Sequence, residues 1–200
     1  MRSTGAIVLL VIALVLGFAG CAGCGTYNSL VGADEAVDQA WADVETTYQR
    51  RADLIPNLVS TVRGAADFER STLVEVTEAR ARATSINISA DDLNDPAQLQ
   101  AYLEAQNAVG GALGRLLAVA ESYPQLRANE NFLSLQDQLE GTENRINVAR
   151  TRYNDAVRSY NTSVRTFPAN IVAGMFDFDR RTPFEAEAGA EQAPDVEFDF

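Results

Sequence analysis

Two side chains are missing altogether. Across 200 residues there is no histidine, and all 16 basic residues are arginine, so there is no lysine either. Without histidine the chain loses the commonest metal ligand and the group best suited to acid–base work near neutral pH. Without lysine a Ser–Lys dyad is excluded. A carboxylate-bridged dimetal bundle normally draws on Glu-x-x-His, which cannot occur here. No P-loop and no Gly-x-Ser-x-Gly is present either. The residues therefore assign no catalytic site, no cofactor site and no metal site, and the chain does not read as an enzyme. Cysteine is scarce: Cys21 and Cys24 are the only two. No strand–helix pattern surrounds their CxxC, so it does not read as a thioredoxin-like site. The chain beyond them can hold no internal disulfide, and its stability has to come from packing. A basic surface is absent as well. The formal net charge is −12, with 28 acidic residues, which argues against a nucleic acid as partner. Finally, no segment alternates with period two, so the expected fold class is all-α.

Charge is missing from one long stretch in particular. After Arg2 none appears before Asp34, and Ala6 to Ala19 is apolar apart from one glycine. As a helix that run of 14 residues spans roughly 21 Å, and the uncharged flanks supply the ~20 residues a bilayer needs. Two membrane readings stay open. In the leading one, residues 5–25 remain as a transmembrane helix. In the other, a signal peptidase cleaves before Cys21, where "GFAGC" resembles a bacterial lipobox and Cys21 would be lipidated. Phe18 occupies a slot that leucine usually fills. Arg2 precedes the run, while Asp34, Glu35, Asp38, Asp43 and Glu45 follow it before Arg50. The positive-inside bias then leaves residues 1–4 in the cytoplasm and the rest of a single-pass protein of the cell membrane outside.

Beyond the apolar start, hydrophobic residues recur at threes and fours. Val37, Trp41, Val44, Tyr48, Ile55, Leu58, Val62 and Ala65 form one stripe; Leu99, Tyr102, Gln106, Val109, Leu113, Leu116, Ala120 and Tyr123 form another. A third runs from Phe132 through Leu139, Ile146, Tyr153, Val157 and Tyr160 to Phe167. This periodicity predicts amphipathic helices packed as an antiparallel long-helix bundle of four helical segments, occupying residues 26–168. Pro56 is expected to bend the first stretch, residues 29–84, into two of them. Unbroken, that stretch would extend on the order of 84 Å. Asp95-Pro96-Ala97-Gln98 reads as a helix start and Asn129 as another. Gly110, Gly111 and Gly114 suggest a close helix approach, since each costs about 1 kcal/mol in a helix interior. Residues 169–200 read as an acidic, mostly irregular tail, with phenylalanines available to dock part of it.

Six ionisable residues lie on or beside these stripes: Arg51, Glu69, Arg80, Glu121, Glu143 and Arg150. An unpaired buried charge is very costly, so mutual pairing in the interior is the first expectation and a seam-edge position the second. A pocket for a ligand or cation is the functional alternative.

Several segments carry a family resemblance: "YNSLV" at 27–31, "AW" at 40–41, "YQRRADLIPNLVSTVRG" at 48–64, "ARA" at 79–81, "LLAVAESYPQLRANENFLSLQDQLEGTENRINVARTRYNDAVRSYN" at 116–161, "FP" at 167–168 and the tail "APDVEFDF". Together they resemble the LemA family of bacterial membrane proteins. The resemblance implies one N-terminal membrane segment, an exposed helical bundle and no known enzymatic activity. It also implies association with membrane proteins of the envelope, proteases among them. Gln49, Arg51, Pro56, Asn57, Glu121, Tyr123, Pro124, Glu143, Arg150, Tyr153 and Asn154 are then signature positions that look structural. The expected function is an envelope interaction or scaffold module held to the membrane. The alternative is an extracytoplasmic sensor or small-ligand or cation-binding bundle.

Overall fold

The computed structural model of the chain describes the backbone of residues 2–64, 69–88 and 90–184; the side chains of residues 2–4, 6–9, 11–12, 14–22 and 90–91 lie outside that description. Among the described residues six helices follow one another: α1 (Arg2–Arg63), α2 (Arg70–Ser85), α3 (Pro96–Ala120), α4 (Pro124–Arg127), α5 (Glu130–Arg165) and α6 (Ala169–Met175). A 3-10 turn, Ala90–Asn94, precedes α3. Among the described residues there is no strand.

The four long helices alternate in direction, so that Ile55 and Leu58 of α1 pack level with Leu139 and Phe132 of α5 at one end, and Val37 and Trp41 level with Tyr160 and Tyr153 at the other. Two clusters make up the interior. In the first, Ile55, Leu58 and Val62 of α1 meet Leu73 and Val76 of α2, Leu113 and Leu116 of α3, and Phe132 of α5. In the second, Val37, Trp41 and Tyr48 of α1 meet Leu99 and Tyr102 of α3, Tyr153, Val157 and Tyr160 of α5, and Phe184 from beyond α6. The helix starts follow their sequence signals. Asp95 caps α3 by accepting from Ala97 N at 2.9 Å and from Gln98 Nε2 at 3.1 Å. Asn129 caps α5 through Asn131 N and Phe132 N.

Pro56 does not divide the first stretch. α1 runs through it to Arg63, and the next helix begins only at Arg70. A proline inside a helix deprives the carbonyl four residues earlier of its N–H partner. Here that carbonyl belongs to Ala52, and it accepts instead from Arg80 Nε of α2 at 2.7 Å. The vacancy is filled from a neighbouring helix, and α1 continues.

The glycines of α3 also differ from expectation. A methyl group at Gly114 would meet nothing within 4 Å, and at Gly110 and Gly111 its nearest neighbours are guanidinium nitrogens at 3.7 and 3.9 Å. Among the described residues no neighbouring helix backbone comes within 4 Å of those methyl positions. The final segment, read as mostly irregular, opens with α6. That helix ends in a reversed turn, with Asp177 at φ 55 and the amide of Phe178 bonded to Ala173 O at 3.0 Å.

The apolar start, residues 5–25, is helical and continuous with α1. Among the described residues no helix is long and apolar enough to cross a membrane. Most side chains of the expected span, Cys21 included, lie outside the described residues.

Candidate functional site

Between the two apolar clusters lies one polar layer, built on Arg51. The residue occupies a core-facing position of α1, three after Tyr48 and four before Ile55, and it is only 3% exposed. Nη1 donates to Glu143 of α5, at 3.0 Å to Oε1 and 3.4 Å to Oε2. Nη2 donates to both the backbone O and Oε1 of Gln106 in α3, at 2.8 and 2.7 Å. The guanidinium carbon also sits 5.0 Å from the centre of the Tyr48 ring. A single side chain thereby joins three helices at one register. Glu143 is 43% exposed at the side chain, so its own share of the ion pair is weakened by solvent. The greater demand is on the buried cation, which needs every acceptor it has.

The other embedded charges separate. Arg80 is half-buried and bound to a backbone carbonyl rather than to an acid. Arg150 is half-buried beside the layer, its guanidinium carbon 5.2 Å from the centre of the Phe184 ring. Glu69 and Glu121 do not join the layer. Both are exposed, Glu69 as the residue before α2, accepting from Ser71 Oγ, and Glu121 at the end of α3. Their apparent place on an apolar stripe came from counting across positions where a helix stops.

A crevice of about 220 Å³ opens onto the layer between α1, α3 and α5, lined by Tyr48, Arg51, Asn107, Glu143, Asn147 and Arg150 among others. The Tyr48 hydroxyl is enclosed and has no hydrogen-bond partner among the described residues. Burial pushes its pKa up; the Arg150 and Arg51 charges oppose this and Glu143 reinforces it. Two guanidiniums face one carboxylate here, so the crevice is suited to an anion. On the opposite side, a larger groove of about 610 Å³ is bordered by Arg51, Arg80, Tyr48 and Tyr102. Burial, reinforced by Tyr48 and Glu45, holds the Tyr102 phenol well above its usual range. No group of three or more Cys, Asp or Glu side chains is placed to hold a metal ion among the described residues.

A second polar arrangement fastens the segment after α6. Asn161 of α5 brackets Arg181, donating to its O at 2.8 Å and accepting from its N at 3.0 Å. Asn154 does the same to Phe184, at 3.1 and 2.8 Å. Between them the Tyr153 hydroxyl donates to Thr182 O at 2.9 Å. The register has a simple origin. Seven helical residues rise about 10.5 Å and three extended residues cover about 10 Å, so asparagines one heptad apart meet every third residue of an extended chain. The Arg181 side chain is buried against α1, with Nη2 2.9 Å from Asp34 Oδ1 and 3.6 Å from Asp38 Oδ1. Its pKa is raised: burial alone would lower it, and the bond and charges of Asp34 and Asp38 outweigh that.

Sequence reasoning placed Arg51, Glu143 and Arg150 near this region and named Tyr153 and Asn154 through the resemblance. It missed Gln106 as a polar partner, together with Asn161, Arg181, Asp34 and Asp38. Two signals were available. Asn154 and Asn161 are one heptad apart on one face, and Asp34 and Asp38 form an i, i+4 acidic pair.

Comparison with known proteins agrees with these motifs. A magnetosome protein, MamQ 2 of Paramagnetospirillum magneticum, is 27% identical over 181 residues, covering 82% of this chain and 66% of its own length. The protein LemA of Metamycoplasma hominis is 24% identical over 162 residues, covering 81% and 70%. MamQ of Magnetospirillum gryphiswaldense is 26% identical over 170 residues, covering 77% and 62%. The chain thus spans about two thirds of the length of these relatives. The LemA family model matches residues 40–198, from the helix that carries Arg51 past the extended segment that Asn154 and Asn161 hold, and the chain belongs to the LemA family.

Proposed function

We propose that this chain is a membrane-tethered helical bundle of the cell envelope that works by binding other envelope proteins and performs no catalysis of its own. The observation that carries this reading is the continuity of α1. The apolar run 6–19 and the core positions Leu30, Val37 and Trp41 belong to one uninterrupted helix. A bilayer holding the first part would carry the bundle as a rigid extension, at fixed height and orientation. The charge asymmetry around the run directs the bundle outward. Cross-linking in intact cells followed by capture of the full chain tests it. Reproducible recovery of the same envelope proteins is expected, and their loss when α1 is replaced by a cleavable secretion signal. Recovery of no reproducible partner sinks the reading. Mass spectrometry of the mature N-terminus separates a retained anchor from cleavage before Cys21.

A second reading rests on the crevice beside Arg51. An enclosed hydroxyl and two guanidiniums against one carboxylate favour a small anion there, which makes the bundle a ligand sensor. Thermal shift with phosphate and small carboxylates decides it, since a specific ligand raises stability by mass action. No stabilisation at millimolar concentration retires it.

A further inference from the structure

Large exposed apolar side chains are unevenly distributed over the bundle. Val74, Leu133 and Val148 are single and scattered, which is ordinary for a surface. Phe167, Ile171, Met175 and Phe176 fall within ten residues of chain, on α6 and its flanks, with Phe167 76% and Met175 71% exposed. α6 itself, Ala-Asn-Ile-Val-Ala-Gly-Met, has no charge, and only Ala173 is fully buried. It packs against α1 and α5. Its level on α1 is marked by Tyr27, whose ring centre is 4.9 Å from that of Phe176 and 5.7 Å from that of Phe178.

Tyr27 is two residues past the segment 5–25, about 3 Å of helix. α1 carries no charge at that level; its next one is Asp34, which is turned inward to Arg181. The apolar patch and the apolar run are therefore adjacent along one axis. A polar headgroup layer is roughly 7 Å thick on each side of the hydrocarbon. We propose that α6, with Phe167 and Phe176, forms an apolar collar seated in the headgroup–acyl boundary beside the point where α1 enters the bilayer. The inference rests on the membrane-tethered reading and adds a second, lateral contact to it. A helix end alone leaves the bundle free to tilt; a collar on one side sets which face lies toward the lipid. The occupant is lipid because the patch is within one turn of the end of the span, where the bilayer surface is the nearest apolar phase. Arg165 and Arg180 are exposed there, but so are Asp177 and Asp179, so burial of apolar area and not lipid charge supplies the attraction.

The test uses the full chain in liposomes whose acyl chains carry bromine, with flotation and tryptophan fluorescence read on the same samples. Native Trp41 is 3% exposed in the bundle interior and serves as the unquenched reference. The variants Ile171→Trp and Met175→Trp report the collar, and Val148→Trp reports an exposed site midway along α5. Expected is flotation of all four proteins, with the two collar variants quenched several-fold more than wild type and Val148→Trp unchanged. Absence of flotation overturns the tethered reading and the collar together. Flotation with collar variants no more quenched than Val148→Trp overturns the collar alone, as does equal quenching of all three. A blue shift at Ile171→Trp without bromine quenching shows the patch covered by a second copy of the chain, which also rejects lipid as its occupant.

Discussion

Pro56 and Arg80 are twenty-four residues apart and act on the same carbonyl. Arg80 supplies to Ala52 O the hydrogen bond that the imino acid withholds. Arg80→Ala should therefore destabilise the bundle by about 1–3 kcal/mol, nearer the lower figure because water reaches a half-buried site. With Pro56→Ala in place the backbone N–H returns, and the same change at Arg80 should cost less, by at least ~0.5 kcal/mol of coupling. Urea unfolding midpoints of the four proteins in this cycle give the number; strictly additive losses refute the assignment. The layer around Arg51 makes a second prediction at the same scale. Arg51→Met removes a donor to buried Gln106 Oε1 and should cost about 1–3 kcal/mol. Glu143→Gln keeps an acceptor in a position open to water, and should cost clearly less in the same assay. Equal losses would show that charge and not hydrogen bonding holds the layer.

At the scale of elements, the glycines of α3 are a reserve of stability. Gly114 has helical geometry and open space around its missing Cβ, so Gly114→Ala should stabilise the protein by about 1 kcal/mol, read as a raised urea midpoint. The extended segment after α6 is the opposite case, held by few bonds. Asn161→Ala removes both bonds to Arg181, and trypsin cleavage beside that arginine should become several-fold faster while far-UV helicity is unchanged. Unaltered proteolysis would mean that Asp34 and Asp38 suffice to hold it. These elements also show what was readable in advance. The stripes of α1, α3 and α5 are long and strictly periodic, and Asp95 and Asn129 are local capping signals, so each could be found from neighbours in sequence. The break after Arg63 could not, because whether Pro56 ends a helix depends on a donor in α2. The docking of Arg181 and Phe184 was equally hidden, since an extended segment held by asparagine side chains has no periodicity of its own. Among the charges, Arg51 stood out as a cation between Tyr48 and Ile55, whereas Gln106 looked like an ordinary member of an apolar stripe.

Across the whole molecule, ionisable phenols are concentrated on one side of the Arg51 layer. Tyr48, Tyr102, Tyr153 and Tyr160 all belong to the cluster that includes Trp41 and Phe184. Burial pushes Tyr153 and Tyr160 up to about 12, with Arg181 opposing in both and Asp38 reinforcing. Burial likewise raises Tyr48 and Tyr102 above the ordinary phenol. In the unfolded chain these groups return to a pKa near 10. Between those values the folded state keeps protons that the unfolded state releases, so the contribution to stability is complete below about pH 10 and falls as pH rises toward 12. The bundle should therefore unfold in alkali from this end, with Trp41 emission shifting red before the residues around Phe132 lose helix protection in hydrogen exchange. Tyrosinate absorbance from the four phenols should rise in step with that red shift and not before it. Full tyrosinate formation with Trp41 emission still blue would show the phenols open to solvent in the intact bundle, and the closed packing of this cluster would have to be abandoned.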